Sequence, residues 1–400
     1  MATFDRAAGK NLEQRISGLL ARRTGTAESD WYCVFKARYG MRVAFDVIRE
    51  LRGEGFVVTQ LLTCCTAVDP ILAAGLVPRY CDISVDTASL DPLALELDDR
   101  VRAVVLQHTY GIVDEATSRE LAARAHAAGA LVIEDCAHCV GRMALDEEGR
   151  PLADISIHSF GIEKVLDTLY GGAVWVNPTS PFADVAAEVA SRLGSLPVAG
   201  FHLALLARMN RFQLRVFGHL PRPVARALRR GLSSAGLFDP AVSDEERRGG
   251  LSYRPLRPSR FVCEKVLVAL EGLGRVEDSR AAVTAVYRSE LPGLPGVAIP
   301  AAAVSGDVQP LLKFPLLVEG TELADRVVEA VCSAGYFTSA WYRPELTPGV
   351  LDEAAYHVPA NRAGLAANDR FVACVATLPT NIDVAGARRV CEAVRSVVSS

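Results

Sequence analysis

Lysine is the scarce cation of this 400-residue chain: Lys10, Lys36, Lys164, Lys265 and Lys313 stand against 38 arginines. The imbalance restricts chemistry, because a partly buried lysine amine can lose its proton and attack a carbonyl, whereas a guanidinium cannot. Lys164 is the only lysine between positions 37 and 264. Long apolar runs are missing too. None reaches the roughly 18 residues that a spanning helix needs. The segment MATFDRAAGKNLEQRISGLLARR mixes acids with bases and has no apolar core of signal-peptide length, so no secretion signal is expected there. The formal net charge is -4, which gives no reason to expect nucleic acid as a partner. Ten cysteines are scattered without a secretory framework, and reduced thiols in a cytoplasm are expected. Cys136 and Cys139 make a formal CxxC, but no second pair or histidine cluster completes a zinc site; core thiols are the expectation, and no metal.

What the chain does have is concentrated between Leu131 and Asn177. An apolar run (Leu131, Val132, Ile133) leads to Asp135, a second run ends at Ser159, Lys164 follows five residues later, and Gly171 and Gly172 open a third run. Turn chemistry accounts for each of these residues singly. Together they place a carboxylate, a hydroxyl and a titratable amine at the ends of predicted strands, which is the arrangement of a pyridoxal phosphate site. A carboxylate can pair with the pyridine nitrogen and keep it protonated, so that the ring acts as an electron sink. The amine supplies the nucleophile.

The stretch resembles the DegT/DnrJ/EryC1/StrS family of pyridoxal phosphate-dependent, fold type I sugar aminotransferases. Its pattern Asp-x-Ala-Gln/His, Ser-Phe-x-x-x-Lys and Gly-Gly is met by Asp135, Ala137 and His138, by Ser159, Phe160 and Lys164, and by Gly171 and Gly172. The resemblance implies Lys164 as the residue that bonds the cofactor, Asp135 at the ring nitrogen, Ser159 at the phosphate and His138 beside the ring. It also implies a Gly-Thr phosphate cradle, of which Gly40-Met41-Arg42 keeps only the glycine, and an aromatic that stacks on the ring, where this chain has Cys64 after Thr63. The family's Asn-Tyr-Arg, whose Asn reaches the neighbouring subunit's cofactor, stands here as Ser252-Tyr253-Arg254. A homodimer with shared active sites follows from the resemblance.

The remaining chain reads as follows. ARYGMRVAFDVIRELRG predicts a glycine turn and then a helix, whose open amides favour an anion, with Arg42 adding charge or simply solvated. Cys64 reads as a small core residue. Strands alternating with helices through Val176 predict a parallel sheet covered on both faces, and ligands on such sheets lie beyond the strand carboxyl ends. His108 reads as a hydrogen-bonded structural residue at a strand end. Val189 to Phe238 contains no acid and eight arginines. Two readings of it stand, a helical insertion packing on a dimer partner and a basic amphipathic surface touching an anionic membrane or a phosphorylated substrate through residues 190–231. Towards the C-terminus LKFPLLV and FVACVATLP read as strands and VAGARRVCEAVRSVV as a last helix. Trp341, Tyr342, Arg343 and His357 are either near the site or in a surface loop.

The predicted fold is α/β: a large domain with a mainly parallel seven-stranded sheet between helices, then a smaller α+β domain. Residues 1–30 read as a surface helix and linker, 31–265 as the cofactor domain with an atypical Arg-rich helical insertion at 190–250, and 266–400 as the small domain. The resemblance implies transfer of an amino group from glutamate or glutamine to a keto sugar, one linked to a nucleotide. Decarboxylation or carbon-carbon bond formation on the same cofactor, and a non-catalytic relative, are the alternatives.

Overall fold

The computed structural model describes residues 2–399, with side chains for residues 9–399. In chain order the strands are β1 (Trp31–Val34), β2 (Phe56–Thr59), β3 (Val77–Tyr80), β4 (Ile83–Ser84), β5 (Ser89–Leu90), β6 (Val101–Gln107), β7 (Leu131–Asp135), β8 (Ile155–Ser159), β9 (Gly172–Val176), β10 (Lys313–Leu317) and β11 (Val375–Pro379). Seven of them form one sheet in the order β1-β9-β8-β7-β6-β2-β3. β9 pairs antiparallel with both neighbours, and the other four pairings are parallel. The mainly parallel seven-stranded sheet is thus present.

Both faces are covered, and the period-two alternation of the strands shows how. The first helices are α1 (Ala2–Thr24), α2 (Ala37–Arg52), α3 (Cys65–Ala73), α4 (Glu115–Ala127), α5 (Ala183–Ser195), α6 (Phe201–Gly218), α7 (Arg222–Ser234), α8 (Arg260–Glu271) and α9 (Leu273–Glu290). Ala103, Val105, Leu131 and Ile133 pack against Val43, Val47 and Ile48 of α2 and Val185 and Val189 of α5. Their sequence neighbours Val104, Leu106 and Val132 pack against Leu121, Ala122 and Ala125 of α4 on the opposite face. Asp114 caps α4 by accepting the Thr117 N–H at 2.9 Å.

Three elements differ from the sequence reading. α1 is no mere surface helix, because Ile16, Leu20 and Ala21 are buried in one cluster with Val262, Cys263, Val266 and Leu267 of α8, and Glu13 receives both Arg257 bonds at 3.0 Å. α2 starts at Ala37, so Gly40 lies inside a helix rather than in a turn before it. FVACVATLP is strand only from Val375; its first four residues end a helix, Ala366–Cys374. Beyond α9, β10 and β11 pair antiparallel and, with Val283 and Tyr287 of α9 and the helices Gly320–Ser333 and Val384–Val398, enclose a core of their own. No helix among the described residues is long and apolar enough to cross a membrane.

Candidate active site

Three strand ends converge at one edge. β7 ends at Asp135, β8 ends at Ser159, and Gly172 opens β9 directly opposite Ser159. Residues 160–171 therefore bridge adjacent strands, and Lys164 rides on that loop. The loop is pinned from inside: Phe160 N–H donates to Gly171 O at 3.1 Å, and the Thr168 hydroxyl reaches the carbonyls of Phe160 (2.7 Å) and Tyr170 (2.8 Å). Glu163 (φ 57°), Asp167 (φ 42°) and Leu169 (φ 69°) are left-handed around Lys164. Side-chain-bearing residues adopt that region at a cost, and such conformations concentrate where surroundings impose them for function. The glycine pair is explained by close approach. A Cβ on Gly172 would lie 2.8 Å from His158 O and 2.9 Å from Ala37 N, both backbone atoms that cannot move aside.

Lys164 is half-buried, and Nζ makes no hydrogen bond or ion pair among the described residues; it lies 5.5 Å from the Trp341 ring centroid. Burial pushes its ammonium down from the usual lysine range, with Cys64 and Asp135 opposing. Asp135 is buried and accepts the Ala137 N–H through Oδ1 at 2.9 Å, while Oδ2 has no partner among the described residues. Burial raises its carboxyl, and the Ala137 amide and the Lys164 charge pull it back. His138 is held at both nitrogens. Nδ1 accepts the Tyr110 N–H at 3.0 Å, so the ring proton sits on Nε2, which donates to the Tyr342 hydroxyl at 3.0 Å. Burial, reinforced by the Lys164 and His108 charges, keeps that imidazole neutral, well below its usual pKa. Trp341 stacks on it with centroids 5.5 Å apart.

The other expected residues divide. Ser159 is half-buried and its hydroxyl accepts the Gly161 N–H at 3.3 Å. Cys64 caps the start of α3 and is more than core filler: its thiol is half-buried and takes the Thr66 hydroxyl at 3.0 Å. The hydrogen bond with Cys65 lowers its pKa, burial opposes, and the charges of Lys164 and Arg38 lower it further. Gly40, Met41 and Arg42 form no cradle. A Cβ on Gly40 would strike Val174 Cγ2 at 2.4 Å, Met41 is in the core, and Arg42 pairs with Asp46 one turn on at 2.7 Å. The open amides belong instead to the helix start at Ala37 and Arg38. Ser252 is exposed and bonded to Ser243 at 2.8 Å. His108 is buried against Glu134 at 2.8 Å, and the Ser156 hydroxyl and Ala144 N–H also donate to Glu134.

Several residues at the site were not singled out. Lys36, just before α2, contacts Asp239 at 2.9 Å and lies over the Tyr170 and Tyr253 rings. Arg38 meets Glu246 at 2.6 Å, a charge contact out of line with a hydrogen bond, and its field reaches Lys164. The available signal was the absence of any Gly or Pro between Val34 and Gly40, which leaves no turn in which to delay the helix. Trp341 and Tyr342 are at the site, whereas Arg343 turns away to Asp325 at 2.8 Å and His357 is exposed.

Part of the sequence, and the fold as a whole, are similar to known proteins. Residues 39–193 fit the model of the DegT/DnrJ/EryC1/StrS aminotransferase family. The L-glutamine:2-deoxy-scyllo-inosose aminotransferase of Streptomyces paromomycinus is 34% identical over 120 residues, 30% of this chain and 28% of that protein. The enzyme of the same name from Streptomyces fradiae is 30% identical over 161 residues, 38% of this chain and 37% of that protein. The chain thus aligns with about a third of the length of these curated relatives. The crystal structure of DesI, determined in the presence of its TDP-sugar product, superposes with a TM-score of 0.67 at 23% identity, covering 98% of this chain and 85% of that one. The fold is thus shared end to end with this solved structure, and the sequence of residues 39–193, which carry Asp135, Ser159 and Lys164, resembles the DegT/DnrJ/EryC1/StrS aminotransferase family.

Proposed function

We propose that this protein is a pyridoxal phosphate-dependent aminotransferase that moves the amino group of glutamine or glutamate to the ketone of a nucleotide-linked sugar or a related cyclic polyol. The observation that carries the reading is Lys164 Nζ, without a hydrogen bond or ion pair among the described residues, its charge disfavoured by burial and felt by Asp135, whose Oδ2 has no partner among the described residues. The relatives support the substrate class: one acts on a keto cyclitol with L-glutamine, and another is described with a TDP-sugar.

The residues present fit the cofactor at each of its three ends. Asp135 Oδ2 suits a protonated pyridine nitrogen, since a buried carboxylate gains from a cationic partner. Ser159 and the amides at the start of α2, with Arg38 beside them, suit the phosphate. Trp341 and His138 offer ring faces. When bound, pyridoxal phosphate supplies the electron sink that makes a carbon next to nitrogen acidic. Lys164 Nζ, whose charge burial disfavours, takes a proton from the donor's carbon and returns it one carbon position away, and the same group runs the reverse sequence on the keto acceptor. Neutral His138 holds the Tyr342 hydroxyl, whose proton is left free to donate. Residues 31–265 act as the cofactor-binding unit and 266–400 as the smaller unit, in a cytoplasmic homodimer in which Ser252 reaches the partner's phosphate.

The test is the absorption spectrum of the protein with pyridoxal phosphate, before and after glutamine or glutamate, with Lys164→Ala as control. A visible band of lysine-bound cofactor that either donor bleaches, and that Lys164→Ala lacks, supports the proposal. A band indifferent to both donors favours another reaction on the same cofactor, and no band at all overturns the reading.

A further inference from the structure

α6 buries one face and exposes a second that is as apolar as the first. Leu206, Ala207, Asn210 and Phe217 point inward, while Phe201, Leu205, Met209, Phe212 and Val216 are exposed, Phe201 to 84% and Phe212 to 62%. The exposed five recur every three or four residues, so they share one stripe along the helix. Arg208, Arg211 and Arg215 are exposed between them. α7 buries Ala225 alone and exposes Val224 and Leu228 among four further arginines. Between Val189 and Phe238 there is no Asp or Glu. Arg215, Arg222, Arg226 and Arg230 have no ion pair among the described residues.

Single exposed hydrophobics need no explanation, but a continuous stripe marks a contact. Charge decides what covers it. A second copy in a two-fold contact would set the stripe against itself and bring arginine against arginine with no acid in the segment to offset them. An anionic bilayer has the complementary chemistry: lipid phosphates accept guanidinium groups, and the acyl boundary takes the apolar side chains of a helix lying in the interface. The two feet of the segment also meet. Ala199 N–H donates to Arg257 O at 2.9 Å and Arg257 N–H to Pro197 O at 2.9 Å, so the excursion leaves and returns at one point of the fold.

We propose that α6 and α7 dock this protein on an anionic lipid surface, with Phe201, Leu205, Met209, Phe212 and Val216 entering the headgroup boundary and the flanking arginines binding lipid phosphates. The test is flotation of the cofactor-loaded protein with phosphatidylcholine vesicles, with and without phosphatidylglycerol. Flotation with the anionic vesicles alone, reversed by salt, is the expected result. The triple variant R215Q/R226Q/R230Q should weaken partition roughly a hundred-fold, at roughly five-fold per arginine, and Phe212→Ser should weaken it independently. Both variants should keep the cofactor band and the transfer rate in solution, which shows that they are folded. No flotation with anionic vesicles, or flotation that neither variant weakens, overturns the proposal. So does a Phe212→Ser protein that light scattering finds reduced from dimer to monomer, since the stripe would then be covered by a second copy.

Discussion

Arg38 and Glu246 are more than two hundred residues apart in sequence, and their pairing ties the start of α2 to the segment after α7. The Glu246 side chain is 1% exposed and that of Arg38 15%, with 2.6 Å between the charged atoms. Glu246 Oε2 also accepts the Ser243 N–H at 2.8 Å, and its carbonyl takes the Tyr356 hydroxyl. Burial works against the charge on Arg38, and Glu246 more than restores it; Glu246 in turn is lowered by Arg38 against the pull of burial. Breaking a buried pair by removing one partner costs about 3–5 kcal/mol, because the other charge is left without compensation, whereas removing both together costs far less. Glu246→Ala should therefore lower stability by about 4 kcal/mol, since it also orphans the Ser243 amide. Arg38→Met should cost about 3 kcal/mol. The double variant R38M/E246L should lose about 3 kcal/mol in all, well short of the sum. Urea unfolding of the protein without cofactor, followed by tryptophan fluorescence, gives these differences directly. A double-variant loss equal to the sum of the single losses within about 0.5 kcal/mol would show that the two side chains are not one energetic unit and refute the reasoning.

Other perturbations reach other parts of the site. Gly172→Ala places a methyl within 3.0 Å of three backbone atoms, and a loss of about 2–3 kcal/mol in the same unfolding assay is expected. Tyr342→Phe leaves the His138 Nε2 proton without its acceptor; a loss of about 1–3 kcal/mol should follow, together with a lower kcat at little-changed KM in steady-state assays. His108 is raised to about 8, because burial, which alone would lower it, is outweighed by Cys139 and Glu134. A folded pKa above the unfolded value of about 6.5 means stability that is complete below pH 6.5 and lost as pH rises through 8, about 2 kcal/mol in all. Glu134→Gln should flatten that part of the stability profile measured between pH 6 and 9.

The residues that could be read from sequence alone are those whose meaning is local. Asp135, Ser159 and Gly172 lie at strand ends marked by apolar runs, and Lys164 follows at short range, so one periodicity locates all four. Gly40 misled because glycine usually punctuates a turn; here it is needed inside α2 so that the helix can approach Val174. The inward face of α1 was hidden because its partner, α8, lies far along the chain. The same holds for Trp341 and Tyr342 against His138, and for Asp239 and Glu246 against Lys36 and Arg38. Pairings over such separations leave no spacing to count. The cations Lys36 and Arg38 were therefore not legible, Trp341 and Tyr342 were legible only as one of two alternatives, and the amine and carboxylate could be read directly.

The reversed direction of β9 decides where this fold can tolerate a change in length. Because β9 runs antiparallel to β8, residues 160–171 span two neighbouring strand ends whose register is set residue by residue, Ser159 against Gly172 and Ile157 against Val174. One residue added or removed there would swing Lys164 away from Asp135 and leave the sheet untouched. The turn between α6 and α7 is under less constraint, because the excursion that carries it has its two feet, Ala199 and Arg257, bonded to each other, and the residues that reach Lys36 and Arg38 lie beyond α7. Material added in that turn changes what the protein touches, while material added beside Lys164 changes whether it reacts.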